Sequence, residues 1–185
     1  MQTVTQSATR SKQYTEQGDD CAFFYLDGIP TNGIWCELES VDSWTDIHQA
    51  LQRAGLIGDN CDGDILVADV EGEIARCCYT SSYDLFDLNQ YIELRETVDQ
   101  RGFDKAAVAA FIGWYGSWDS DTFESAYMGQ YDSEQAYADQ YIDDTGMLSE
   151  MPEHLQCYFD YEAFARDLFM CDYYFDSGFV FCCNS

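Results

Sequence analysis

The sequence predicts an α+β protein built from small elements: an antiparallel sheet with an inserted helix, a helical middle, and an α+β C-terminal part. Short apolar runs bounded by Gly, Pro and Asn at 21–40 and 65–71 are typical of strands. Apolar residues that recur every three or four positions between 84 and 115 are typical of helices. After residue 120 the two patterns follow one another, which indicates a mixed segment.

The composition predicts a folded core in spite of the charge. Hydrophobic residues make up 46% of the 185-residue chain, and 14 Tyr, 12 Phe and 4 Trp are among them. This argues against the disorder that a net charge of −27 would otherwise suggest. No apolar run approaches the roughly 18 residues of a membrane span. Residues 1–20 have no apolar centre, so we expect a flexible polar tail and no signal peptide.

The N-terminal subdomain is predicted over residues 21–80. Its strands are expected at 21–28, 34–40 and 65–71, with a PTNG turn between the first two. A helix capped by Ser43 or Thr45 and ended by Gly55 is inserted before the third strand.

The helical subdomain is predicted over residues 81–120. A first helix starts at Asp84 or Ser82 and ends at Gly102. A second, alanine-rich helix covers 103–116, where glycines end it.

The C-terminal acidic subdomain is predicted over residues 121–185. We expect the following elements here: a helix capped by Asp121, a strand at 127–131, a helix from Ser133 to Gly146, a turn or short helix after Pro152, a helix capped by Asp160 over 161–169, and a hairpin at 173–181.

Charge is distributed unevenly along the chain. Acids outnumber bases 35 to 8, which excludes a conventional nucleic-acid binder and polybasic membrane docking. The sixty residues from Ala106 to Ala165 contain no Lys or Arg. Residues 106–185 contain a single base, Arg166. Glu162 lies four positions before it and is its expected ion-pair partner. The acids alternate with aromatic and aliphatic residues, so we expect them on folded elements and not in a disordered tail.

One predicted helix carries acids where folding gains nothing from them. Asp139 and Asp143 are four residues apart and share a face, which costs a few tenths of a kcal/mol. Asp143 and Asp144 fall in the last turn, where carboxylates oppose the helix dipole at a cost of about 0.3–1 kcal/mol each. Such local violations are expected at functional sites.

Catalytic and metal-binding signatures are weak. His48 and His154 lie in different elements, and there is no C-x-x-C, P-loop or G-x-S-x-G. The loop at 59–64 resembles a calcium loop, but Cys61 stands where an oxygen ligand is needed and Val70 where the closing Glu belongs. The nine cysteines are expected to be small buried hydrophobes in a reducing cytoplasm. We therefore predict no enzyme activity, no cofactor and no metal.

The charge pattern favours imitation of a polyanion. Duplex DNA carries one charge per roughly 1.7 Å, so 27 charges match about 46 Å, or about 14 base pairs. Halophilic adaptation is the main alternative, and it predicts loss of structure in low salt. The residues expected to take phosphate-like positions are acids of the base-free stretch: Asp119, Asp121, Glu124, Asp132, Glu134, Asp139, Asp143, Asp144, Glu150 and Glu153.

Five segments, in order, resemble the ArdA family of antirestriction proteins. They begin with YLDG…NGIW (25–35), ILVADVEG (65–72) and DLFDLNQYIEL (84–94). The two most specific follow, FESAYMGQYDSEQAYADQYIDDTGML (123–148) and YFDYEAFARDLF (158–169). The resemblance implies an elongated fold of three subdomains, a homodimer in the cytoplasm of a host bacterial cell, and an origin on a mobile genetic element. It also implies a DNA mimic that occupies the DNA-binding groove of type I restriction–modification enzymes.

Two other functions stay open at this point. The first keeps mimicry but changes the target to another DNA-binding protein, such as a CRISPR effector or a nucleoid protein. The second is an acidic adaptor or module that binds divalent ions, for which calorimetry with calcium or magnesium is the discriminating measurement.

Overall fold

The computed structural model describes residues 20–26, 32–58 and 63–184. It confirms an α+β fold, with helices and three small antiparallel sheets among the described residues. The chain divides into two compact units, Met1–Phe86 and Asp87–Ser185. The four-part division made from the sequence stays a prediction.

A three-stranded antiparallel sheet forms the centre of the first unit. Its strands are β1 (Cys21–Leu26), β2 (Gly33–Glu37) and β3 (Ile65–Glu71), in the order β2-β1-β3. β1 lies in the middle and buries Ala22 and Phe24 completely. This alternation places one face of the strand against the core.

Helices and a short hairpin complete the first unit. Helix α1 (Trp44–Arg53) buries Ile47 and Leu51. Helix α2 (Glu73–Cys77) follows β3 directly, and strands β4 (Tyr79–Thr80) and β5 (Leu85–Phe86) pair with each other.

Asp20 anchors the start of the described chain in the first unit. It is fully buried, its carbonyl oxygen accepts from the Leu38 amide at 2.9 Å, and its Oδ1 accepts from the Ala75 amide in α2 at 3.1 Å. Gly72, just before α2, has φ 109°, and its backbone packs so closely against Asp20 that a Cβ would clash with it. The chain therefore needs glycine at this position.

The second unit consists of six helices and a three-stranded sheet among its described residues. The elements are α3 (Leu88–Arg101), α4 (Lys105–Tyr115), α5 (Ser120–Ala126), β6 (Tyr127–Gln130), α6 (Glu134–Thr145), α7 (Glu153–Gln156), α8 (Tyr161–Cys171), β7 (Tyr173–Asp176) and β8 (Phe179–Cys182). The sheet order is β6-β8-β7, and all pairs are antiparallel. Ser177 and Gly178 both have positive φ, as in a two-residue type I′ hairpin loop.

Capping residues define most helix ends in the second unit. Side chains accept hydrogen bonds from first-turn amides at five N-termini, and glycine in the left-handed conformation ends three of these helices. The N-caps are Asp87, Asp104, Asp119, Ser133 and Asp160, and the terminating glycines are Gly102, Gly116 and Gly146.

Aromatic rings fill the core beneath β8. Phe181 is fully buried and contacts the rings of Phe111, Trp114 and Phe123 at centroid distances of 5.7, 5.8 and 6.4 Å. These contacts join α4 and α5 to the sheet and give the unit an interior of interlocking rings.

Four local predictions are wrong. The strand predicted at 34–40 ends at Glu37, because the chain turns there and buries Leu38. The helix predicted from Asp84 or Ser82 starts at Leu88, because Asp84 has φ 53° and the next two residues pair as β5. The cap of α5 is Asp119 instead of Asp121, and Arg166 pairs with Asp167 at 3.2 Å instead of with Glu162.

The cysteines also differ from the prediction. Among the eight that the structure describes, Cys78 alone is buried. Cys157, Cys171 and Cys183 are exposed, since they lie at helix and strand ends where the chain leaves the core. In the described parts of the chain, no helix is long and apolar enough to cross a membrane.

Candidate functional site

The ten predicted phosphate-like acids all lie in the second unit, and all ten are exposed. We call them the acidic surface. Asp119 to Glu124 belong to the start of α5, Asp132 to Asp144 to α6 and the residues before it, and Glu150 and Glu153 to the segment around α7. Their distribution over several elements means that any binding they support sums many separate contacts.

Helix α6 carries the densest part of the acidic surface. Tyr137, Ala138 and Ile142 face the core and are buried. Asp139 and Asp143 share another face of the helix, because they are four positions apart, and both are exposed. The helix is therefore amphipathic, with carboxylates on its solvent side.

The last turn of α6 has the unfavourable charge that the sequence predicted. Asp143 and Asp144 lie in this turn, which contains no basic residue, and Gly146 ends the helix. The Gln140 side-chain amide donates to Asp144 at 3.3 Å, and that of Gln135 donates to Asp139 at 2.7 Å. These neutral donors orient the two carboxylates without cancelling their charge.

The core side of α6 holds the helix in place. The Tyr137 ring contacts Tyr131 and Tyr173 at centroid distances of 4.9 and 4.8 Å, and Phe169 of α8 at 5.7 Å. Burial and a hydrogen bond with the Tyr173 hydroxyl raise the pKa of Tyr137 well above its ordinary value. The ring contacts of Tyr137 thus hold α6, and the carboxylates it carries, in place against the core.

We expect Tyr137→Phe to destabilise the protein by about 1 kcal/mol at pH 8, because one buried hydrogen bond is lost. The raised pKa means that the neutral phenol stabilises the fold fully below pH 10, its ordinary pKa, and less as pH rises further. The difference between variant and parent should therefore shrink above pH 10. Urea titrations at pH 8, 10 and 11 measure it. Tyr158→Phe, at an exposed tyrosine, is the control, and a pH-independent difference would contradict the assignment.

Arg101 neutralises one part of the acidic surface. Its guanidinium contacts Glu124 at 2.6 Å and Asp121 at 3.6 Å. The hydrogen bond and charge of Glu124, with Asp121 beside it, raise the pKa of Arg101. Among the described residues of the acidic surface, Asp121 and Glu124 share one cation, Arg101. Their negative charge is therefore partly cancelled within the protein.

Hydrogen bonds with Thr122 lower the pKa of the Asp119 carboxyl below its ordinary value. The Thr122 side chain takes part in them, and the Thr122 backbone amide donates to Oδ1 at 2.7 Å. Asp119 thus combines a capping role with an exposed charge.

Sequence reasoning missed one ion pair of this surface and two further exposed acids. The ion pair between Arg101 and Glu124 joins residues 23 positions apart, and no local sequence pattern predicts it. Asp160 and Glu162 belong to the base-free stretch and are as exposed as the ten chosen acids. Their position in the base-free stretch was a sufficient signal to predict them as phosphate-like acids as well.

The described residues contain no candidate metal centre. No group of three or more His, Cys, Asp or Glu side chains within them is placed to hold a metal ion. Residues 59–62 of the calcium-like loop lie outside the described residues.

Taken together, the fold and the site define an acidic α+β protein that presents exposed carboxylates on capped, well-packed helices. The family model of antirestriction protein (ArdA) matches residues 25–181. The chain therefore belongs to the ArdA family of antirestriction proteins, whose members act against restriction enzymes, and the resemblance seen in the sequence is confirmed. No curated protein matches the sequence.

Proposed function

We propose that this protein is a non-enzymatic DNA mimic that inhibits type I restriction–modification enzymes in the host cytoplasm. Its exposed carboxylates take phosphate-like positions in the DNA-binding groove of the methyltransferase core. The observation that carries the proposal is the acidic surface: ten exposed carboxylates on folded elements, within sixty residues that contain no Lys or Arg. We further propose that the protein acts as a homodimer and does not itself bind nucleic acid.

Electrostatics supply the binding energy in this proposal. A groove that binds DNA is lined with Arg and Lys, and it gains from each phosphate through charge attraction and the release of counterions. Exposed carboxylates offer the same acceptor oxygens and the same sign of charge. Association should therefore be fast and should weaken as salt increases.

Charge spacing shows why one helix is not sufficient. Carboxylates four residues apart on α6 are about 6 Å apart along the axis. Duplex DNA carries one charge per roughly 1.7 Å, so a single helix face is too sparse. The proposal therefore requires contributions from α5, α6 and the segment around α7 together.

A salt-titrated competition tests the function. A purified type I methyltransferase core is offered a labelled duplex and this protein together, and duplex release is followed by fluorescence anisotropy from 50 to 300 mM salt. We expect stoichiometric release of the duplex at low salt, and the direct affinity of the protein for the core, measured without duplex, should decrease as salt rises. Release of duplex without direct binding of the protein to the core, or simultaneous binding of both, would contradict occupation of the groove.

Arg101→Gln should bind the same core about two- to threefold more tightly at low salt. The substitution releases Glu124 and Asp121 from their internal cation and adds one negative charge to the surface. The gain should disappear at 300 mM salt, where exposed charges are screened. A loss of affinity would instead mean that Arg101 positions these carboxylates for the partner.

A further inference from the structure

We propose that Leu155 and Tyr158, which we call the α7 patch, insert into an apolar depression within the basic surface of the partner and supply a salt-independent part of the affinity. This inference rests on the proposed function and names a second chemical requirement of the same partner: an apolar depression bordered by Arg and Lys.

The patch is centred on Tyr158, and Leu155 is its exposed neighbour. Tyr158 is 81% exposed, the most exposed large hydrophobic side chain among the described residues, and Leu155 is 42% exposed. They are three residues apart in one turn, where the Tyr158 amide donates to the Leu155 carbonyl at 3.0 Å. Residues three apart in such a turn are neighbours, so the two form one small apolar surface.

The turn that carries the patch is fixed from both sides. The Gln156 side-chain amide donates to the carbonyls of Leu148 and Met151, both at 3.1 Å. On the other side, the Phe159 ring packs against Tyr161 at 4.9 Å and Phe164 at 5.7 Å. Little backbone entropy of this turn therefore remains to be lost when Tyr158 becomes buried in a complex.

The charges around the patch determine its occupant. Glu150, Glu153, Asp160 and Glu162 flank it in sequence, all are exposed, and no Lys or Arg occurs between residues 106 and 165. An acidic partner surface is repelled here. A second copy docked symmetrically on this patch would place like acids against like acids, because a two-fold interface uses the same surface twice. A basic surface with an apolar depression fits both features.

The patch gives the protein something that a duplex lacks. The sugar–phosphate backbones of duplex DNA present phosphates, and their contribution to binding affinity decreases steeply with salt. Burial of a tyrosine and a leucine contributes apolar area that salt does not screen, and tyrosine is a frequent anchor of interfaces. The competitive advantage of the protein over DNA should therefore grow as salt increases.

Binding of the variants to the methyltransferase core at four salt concentrations tests the inference. Tyr158→Ala should weaken binding about tenfold by the same factor at every salt, so that its line of log Kd against log salt runs parallel to the parent. Asp139→Asn combined with Asp143→Asn should instead make that line shallower. Tyr83→Ala is the matched control, since Tyr83 is 73% exposed but lies in the first unit.

The outcomes separate this inference from the proposed function. A parent protein that does not bind the core at any salt contradicts the proposed function itself. A parent that binds, with Tyr158→Ala binding equally well, contradicts the α7 patch alone. Sedimentation of Tyr158→Ala completes the test: dissociation of a dimer by this substitution would assign the patch to contact between copies and overturn the inference.

Discussion

Neutralising four exposed carboxylates at α6 should lower affinity for the methyltransferase core on the order of a hundredfold at low salt, while the fold becomes more stable. The four changes are Asp132→Asn, Asp139→Asn, Asp143→Asn and Asp144→Asn. Each phosphate-like contact contributes up to roughly tenfold at 0.1 M salt through counterion release. Because carboxylates on this surface are sparser than phosphates, a smaller factor for each is expected.

The stability of this variant should change in the opposite direction. Asp143 and Asp144 oppose the dipole at the end of α6, and Asp139 repels Asp143. Asparagine removes these repulsions, and it can still accept the hydrogen bonds that Gln135 and Gln140 donate. A more stable but inactive protein excludes unfolding as the reason for lost binding.

A second variant with the same net charge is the matched control. It changes exposed acids outside the acidic surface: Glu37→Gln, Glu93→Gln, Glu96→Gln and Asp99→Asn. If total charge alone determined binding, both variants would weaken it equally. Equal loss would contradict a localised surface, and loss of all binding after one single neutralisation would indicate a local site instead of a distributed one.

Gly72→Ala should destabilise the first unit by at least about 3 kcal/mol. A Cβ at this position would clash with Asp20 Oδ1 and lie 2.7 Å from Asp20 Cα, and the φ of 109° is itself strained for alanine. Relief requires Asp20 to leave its buried position, which would break its bond to the Ala75 amide. Urea denaturation followed by circular dichroism measures the loss.

Gly55→Ala separates the two causes of this effect. Gly55 also has a positive φ, 71°, but a Cβ there would meet no atom within 4 Å. We expect it to cost only about 1 kcal/mol, from backbone strain alone. Similar losses for both substitutions would mean that the contact with Asp20 is unimportant.

Elements determined by local signals were predictable. Helix α6 begins at a serine cap and ends at a glycine in the left-handed conformation, so Ser133 and Gly146 define both ends from the sequence alone. The hairpin at β7 and β8 was equally clear, since Ser177 and Gly178 supply the two positive φ angles that its loop requires.

Features that depend on distant partners were not predictable. The Tyr25 hydroxyl donates to Asp84 Oδ2 at 2.8 Å across 59 residues, and the Asp84 carbonyl accepts from the Val67 amide at 2.9 Å. These bonds hold Asp84 in a turn where the sequence pattern alone indicated a helix start. The burial of Asp20 likewise depends on Leu38 and Ala75, far along the chain.

The site follows the same division. The exposure of the ten acids was predictable from their positions among apolar residues. Their phosphate-like role stays a prediction. The internal ion pair of Arg101 and the exposure of Tyr158 result from chain packing, and no spacing rule gives them.

Carbodiimide cross-linking of the protein to a methyltransferase core tests the central claim most directly, because it joins carboxylates to lysines only when they are in contact. We predict cross-links from the residues of the acidic surface, Asp132 to Glu153 above all, to lysines that line the DNA-binding groove. Prior saturation with duplex should abolish them. Cross-links that come from other acids, or that persist with duplex bound, would contradict the claim that these carboxylates replace phosphates.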